Sequence, residues 1–143
     1  MGKPISGFAQ SLATTPKLSA MPAAQIRIIV AMRIAILAWN KRQDPKPYLI
    51  KQLGDEIAAG HFAHIIELMS DCWPEPMAVH RPCCSHVSYD EMLVLDLTTA
   101  VVQREPDHFH GLLGEMIGSS DRQKLLLGFR KFASRFKRSG TDE

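Results

Sequence analysis

The sequence has none of the local signatures that announce a catalytic or nucleotide-binding site. It contains no GxxxxGKS/T, GxGxxG, GxSxG or HExxH motif and no EF-hand loop. These absences do not exclude an enzyme, but nothing in the chain asks for one. Cysteine is scarce as well, with only Cys72, Cys83 and Cys84 present. An odd number at these spacings is not the disulfide framework of a small secreted domain. Adjacent cysteines seldom bond each other, because disulfide geometry strains a vicinal pair. The thiols are therefore expected to be reduced and the protein cytoplasmic. Residues 1–22 lack the continuous apolar core of a secretory signal, in line with that expectation.

Long apolar runs are missing too. The most apolar stretch, residues 23–39, is interrupted by Arg27 and Arg33. A bilayer span needs about 20 apolar residues with few or no charges, and an arginine at bilayer depth is expensive. The stretch reads as a buried helix and not as a membrane span. No segment repeats at a fixed period, which removes a solenoid. Acidic residues are absent before Asp44, whereas Lys3, Lys17, Arg27, Arg33, Lys41 and Arg42 all precede it. The overall net charge of +2 names no partner class.

What remains is an ordinary globular composition. At 143 residues, 45% apolar and 22% charged, the chain is the size of one domain and apolar enough to build a core. Gly, Ser, Thr and Pro crowd residues 1–22, which read as a flexible N-terminal arm. Residues 23–138 read as a single helical domain, with a polar tail over 139–143.

Within the domain, the pattern predicts an all-α fold, a compact bundle of about five helices. Helix one runs from about Ala23 to Arg42, with apolar residues nearly all round, from Ile26 to Trp39. A helix of that kind is expected to be buried against several neighbours. Asp44-Pro45-Lys46-Pro47 breaks the chain, and a proline there suits the first turn of helix two. Helix two carries Ile50, Leu53, Ile57, Ile65, Ile66 and Met69, with Gly60 as the point where it would kink or divide. A long irregular Pro/Cys/His loop over residues 70–87 then separates helices two and three, since Pro74, Pro76 and Pro82 forbid a helix through it. Ser88 and Glu91 form a capping box that opens helix three. Pro106 opens helix four, with Phe109, Leu112, Leu113, Met116 and Ile117 on one face. Ser120 and Gln123 offer a second capping box for helix five, whose inner face is Leu125, Leu126, Phe129, Phe132, Ala133 and Phe136.

The loop holds the main candidate site, His80-x-x-Cys83-Cys84-x-His86, with Cys72 close enough in sequence to join it. Zinc takes four nitrogen or sulfur ligands in a tetrahedron, and thiolate and imidazole suit it. Against zinc, adjacent Cys83 and Cys84 cannot easily face one metal, and no second paired spacing exists. The plainer alternative packs the small cysteines on the core and turns the histidines to water. A thiol reading is also open, since Arg81 and the helix start at Ser88 lie near the cysteine pair and cations or helix N-termini favour thiolate.

Other groupings are weaker. His61, His64 and Glu67 share one helix face, which a solvated surface explains as well as a metal does. Glu105 and His108 have the Glu-x-x-His spacing of di-iron bundles, but no second copy exists. Helix five is basic, and Lys124, Lys131, Arg135 and Arg138 form a stripe that would attract phosphates. With helix four and the Gly-Ser-Ser turn it loosely resembles a helix-turn-helix. A solvated cationic helix end is the competing account.

Arg81-Pro82-Cys83-Cys84, followed by Ser88-Tyr89-Asp90-Glu91 opening an apolar helix, resembles a family of short helical alphaproteobacterial proteins of unknown function that carry a Pro-Cys-Cys motif. The resemblance covers about residues 80–136. It implies a bacterial cytoplasmic protein and transfers no site residue. The expected function is a protein-interaction or regulatory module with a protein partner or self-association. The alternatives are a zinc or redox site in the Cys72–His86 loop and nucleic-acid binding through the last helix.

Overall fold

A computed structural model describes residues 17–139, with side chains as far as Phe136. Residues 1–16 of the expected 1–22 arm, the side chain of Arg138 and the tail beyond Ser139 lie outside the described residues. The fold is all-α. Six α-helices follow one another: α1 Ala23–Asn40, α2 Lys46–Leu53, α3 Glu56–Cys72, α4 Tyr89–Val102, α5 Pro106–Leu113 and α6 Ser119–Ser139. Among the described residues there is no strand, only one isolated antiparallel bridge between Lys17 and His86.

The sixth helix arises because the stretch expected as helix two divides at Gly54-Asp55 and not at Gly60. Gly54 has a φ of +77°, a left-handed conformation that costs glycine nothing, and its N–H caps Ile50 O at 2.8 Å. Asp55 then accepts from Ala58 N at 2.9 Å and starts α3. Gly60 stays inside α3. Two other boundaries move for similar reasons. Gly114 stops α5 at Leu113, before the expected Met116 and Ile117. Helix α6 begins at Ser119, so Ser120 lies inside its first turn instead of capping it.

Helices α3 and α6 pack on each other at the centre. Gly128 permits the close approach, since a Cβ there would sit 3.3 Å from Ile65 Cγ1. Phe62 and Phe132 meet across the contact with ring centroids 5.0 Å apart, and Phe109 and Phe129 tie α5 to α6 at 5.7 Å. The expected inner face of α6 is buried throughout, from Leu125 to Phe136. At one end Arg27 of α1 donates to the Gln52 and Leu53 carbonyls that close α2, and lies 4.9 Å over the Phe136 ring.

Helix α1 is the one described helix long and apolar enough to cross a bilayer. Its burial is that of a core helix for Ile28, Ile29, Ala31, Met32, Ala35 and Ala38. Burial on every side, as its composition suggests, is not found: Leu37 is 42% and Trp39 46% exposed, while Arg33 is buried.

Candidate functional site

The loop between α3 and α4 is organised from beneath by a buried ion pair. Arg33 Nε and Nη2 donate to the two Glu91 carboxylate oxygens at 2.8 and 3.0 Å, and both side chains are fully buried. The rest of the guanidinium gathers loop carbonyls. Nη1 donates to Arg81 O at 3.3 Å and Cys84 O at 2.7 Å, and Nη2 to His86 O at 2.7 Å. Glu91 in turn accepts from the Ser88 and His80 backbone N–H groups at 2.9 and 3.1 Å. Burial pushes the Glu91 carboxyl up, but these donors, Arg33 first, outweigh it and hold it below the ordinary glutamate range.

The capping box expected at Ser88 is present, with Glu91 N donating to Ser88 Oγ at 3.1 Å. Ser88 Oγ also donates to Ala78 O, and Asp90 accepts from Ala78 N at 2.7 Å. A segment that cannot be helical is thus held by an arginine from α1 and three side chains from the first turn of α4. Residues ahead of α1 join it as well, since Leu18 N donates to Ser85 O at 2.7 Å.

The motif residues themselves act through the main chain. His80, Arg81, Cys84 and His86 supply backbone atoms to the Arg33–Glu91 pair, while the side chains of His80, His86 and Cys83 are exposed and that of Cys84 is half-buried. Cys72, at the end of α3, is half-buried, and desolvation raises its thiol pKa, with Asp121 and Asp71 adding to the effect. Among the described residues no group of three or more His, Cys, Asp or Glu side chains is gathered to hold a metal. The zinc ligands considered from the sequence are thus not brought together among the described residues.

The basic stripe is brought together only in part. Arg135 forms a two-pronged contact with Asp55 at 2.8 and 3.0 Å. The hydrogen bonds from Arg135, first, and Ala58 lower the Asp55 pKa to about 2. Arg122 is likewise engaged, with Nη1 on Ile117 O at 2.6 Å and Nε on His110 Nδ1 at 3.2 Å. Lys124, Arg130 and Lys131 remain exposed.

A feature that the sequence did not single out lies at the C-terminal end of α1. Trp39 stands between two clefts. One, of about 600 Å3, is lined by Trp39, Arg42, Asp44, Pro45, Ile66 and Glu67. The other, of about 360 Å3, is lined by Ile36, Trp39, Trp73, Pro74, Glu75 and Met77. Among the described residues that line the two clefts, Asp44, Glu67 and Glu75 are exposed acids and Arg42 is the one cation. The α1 pattern hides this ridge, because a helix apolar nearly all round does not reveal which of its ends lacks a neighbour.

No protein family model, no curated protein and no solved structure matches this chain.

Proposed function

We propose that the protein is a helical interaction module that docks a cationic, amphipathic segment of a protein partner on the Trp39 ridge. The observation that carries this reading is the half-exposed indole of Trp39 between two clefts, the larger of them mainly apolar. Tryptophan and methionine are enriched at the buried centres of protein interfaces, and Trp is the commonest anchor. Trp39, Trp73 and Met77 supply such a centre. The carboxylates of Asp44, Glu67 and Glu75 around it favour a positively charged partner and would speed its encounter. A nucleic acid is the less favoured partner, because Arg135 and Arg122 of the basic helix are engaged within the fold. The three free thiols fit a reducing cytoplasm.

The test is site-directed photocrosslinking in whole-cell extract from a probe at Asn40, which lines the second cleft, against a control probe at exposed Gln103. The reading expects one protein adduct specific to position 40, carrying a basic crosslinked peptide. Both Trp39→Ala and the double change Glu67→Lys with Glu75→Lys should abolish it. Equal adducts from both probes, an adduct that is a second copy of this chain, or a nucleic acid would each overturn it.

A further inference from the structure

We propose that Cys83 and Cys84 form a vicinal dithiol site that peroxides oxidise reversibly to a ring disulfide. The site is separate from the Trp39 surface and does not depend on it. Cys83 and Cys84 are the third and fourth residues of a turn that begins at Arg81, closed by Cys84 N–H donating to Arg81 O at 2.9 Å. Cys83 is exposed and Cys84 half-buried, so the pair offers one thiol to an oxidant and keeps the second beside it. The inner side of the turn is fixed, because Arg33 holds both the Arg81 and the Cys84 carbonyls.

Adjacent α-carbons across a trans peptide are about 3.8 Å apart, so rotation of the two side chains can bring the sulfurs together without unfolding the chain. A disulfide favours about 4.4–6.8 Å between α-carbons, so a ring closed at this spacing is strained and open to reduction. That suits a reversible modification better than a structural staple. Cys72 stands aside from the chemistry. It is half-buried at a helix end, and desolvation together with neighbouring carboxylates disfavours its thiolate.

The reaction balances with the peroxide as the only oxidant. The Cys83 thiolate attacks one peroxide oxygen, the S–O bond forms, the O–O bond breaks, and the departing hydroxide takes up the thiol proton as water. The Cys84 thiolate then attacks the Cys83 sulfur, the S–S bond forms, and the sulfenic hydroxyl leaves as a second water with the Cys84 proton. Two thiols lose two electrons and the peroxide becomes two waters. An added dithiol reverses the change by exchange. Ring closure turns the peptide between the two cysteines, and this draws the Cys84 N–H away from the Arg81 carbonyl that closes the turn.

The test uses the full chain, reduced, desalted and treated with hydrogen peroxide, followed by peptide mass spectrometry and phenylarsine oxide titration. The expected result is loss of two hydrogens from the peptide holding both cysteines, reversed by dithiothreitol. One phenylarsine oxide should bind per reduced chain, and none should bind after oxidation. Cys84→Ser should abolish both, Cys72→Ser should leave both, and the melting temperature should fall on oxidation of the wild type and of Cys72→Ser but not of Cys84→Ser. Conversion of Cys83 to sulfinic acid, or a Cys83-linked dimer, without loss of two hydrogens in the monomer would overturn the proposal.

Discussion

Arg33 of α1 and Glu91 of α4 meet in a fully buried, two-pronged ion pair, 2.8 Å at its shorter contact, although 58 residues separate them in sequence. Removing one partner of a buried pair leaves the other charge unpaired, which costs about 3–5 kcal/mol. Glu91→Gln is expected near the lower end of that range, because Arg33 keeps its three carbonyl acceptors. Arg33→Met should cost more, since it strips those carbonyls as well as the carboxylate. The double variant Arg33→Met with Glu91→Leu should lose less than the sum of the single changes. Urea midpoints measure all of these, and strictly additive losses would count against the coupling.

Acid should weaken the fold in a defined window. Both Glu91 and Asp55 are held below their ordinary pKa, Asp55 at about 2. A carboxyl whose folded pKa is depressed contributes stability that is fully present above its unfolded value, about 4.3 for Glu and 3.9 for Asp. That contribution is lost as pH falls through the folded value. The urea midpoint should therefore fall as pH is lowered from about 5 towards 2. Arg135→Gln should return the Asp55 carboxyl towards the ordinary aspartate range, read by NMR titration of its side-chain carbon. An Asp55 resonance unmoved by that change would show that Arg135 is not the cause.

Two glycines six positions apart in sequence, Gly54 and Gly60, should respond oppositely to alanine. At Gly54 the φ is +77° and a Cβ would approach Arg27 Nη2 at 3.2 Å, so Gly54→Ala should destabilise by about 1–2 kcal/mol. At Gly60, inside α3, the nearest atom would be Lys46 Cε at 4.0 Å, an ordinary contact. Gly60→Ala should stabilise by roughly 0.5–1 kcal/mol, through better helix propensity and a less disordered unfolded chain. Thermal melting of the two variants checks both signs, and a stabilised Gly54→Ala would remove the argument for where the helix divides.

The parts legible in the sequence are those encoded within one or two helical turns. Ser88 and Glu91 are three positions apart, so their reciprocal bonds were readable as a pattern, and the inner face of α6 follows from its spacing. The Gly54-Asp55 boundary is also local, but the apolar period continues across it and conceals the break. Arg33 was read only as a charge that argues against a bilayer, because its partners at Arg81, Cys84, His86 and Glu91 are far along the chain. The Cys and His residues were conspicuous by type, yet their side chains are dispersed and their backbones do the binding. The exposure of Trp39 depends on where α3 and the loop end relative to α1, which no residue pattern states.

Arg42 and Arg104 are the two described non-glycine residues in the left-handed region, with φ of +55° and +58°. They occupy equivalent places after α1 and α4. Gln43 N donates to Ala38 O at 2.8 Å behind one, and Glu105 N to Ala100 O at 2.9 Å behind the other. Glycine is the usual occupant of that helix-terminating position, and a side chain there costs about 1–2 kcal/mol. Arg104→Gly and Arg42→Gly should therefore each raise stability, by up to about 1 kcal/mol once glycine's unfolded-state entropy is subtracted. Their effects on the Trp39 ridge should differ. Arg42 lines the larger cleft, whereas Arg104 lies in a separate cleft beside Arg130. Arg42 is the one cation among the described residues that line the two clefts, so its removal should strengthen capture of a positively charged partner at Asn40, and Arg104→Gly should leave that capture unchanged. Melting temperature and crosslink yield measured on the same two variants separate strain relief from docking. A loss of crosslink in Arg42→Gly, with stability raised, would mean that the partner presents a carboxylate to Arg42 and that its charge has been assigned the wrong way round.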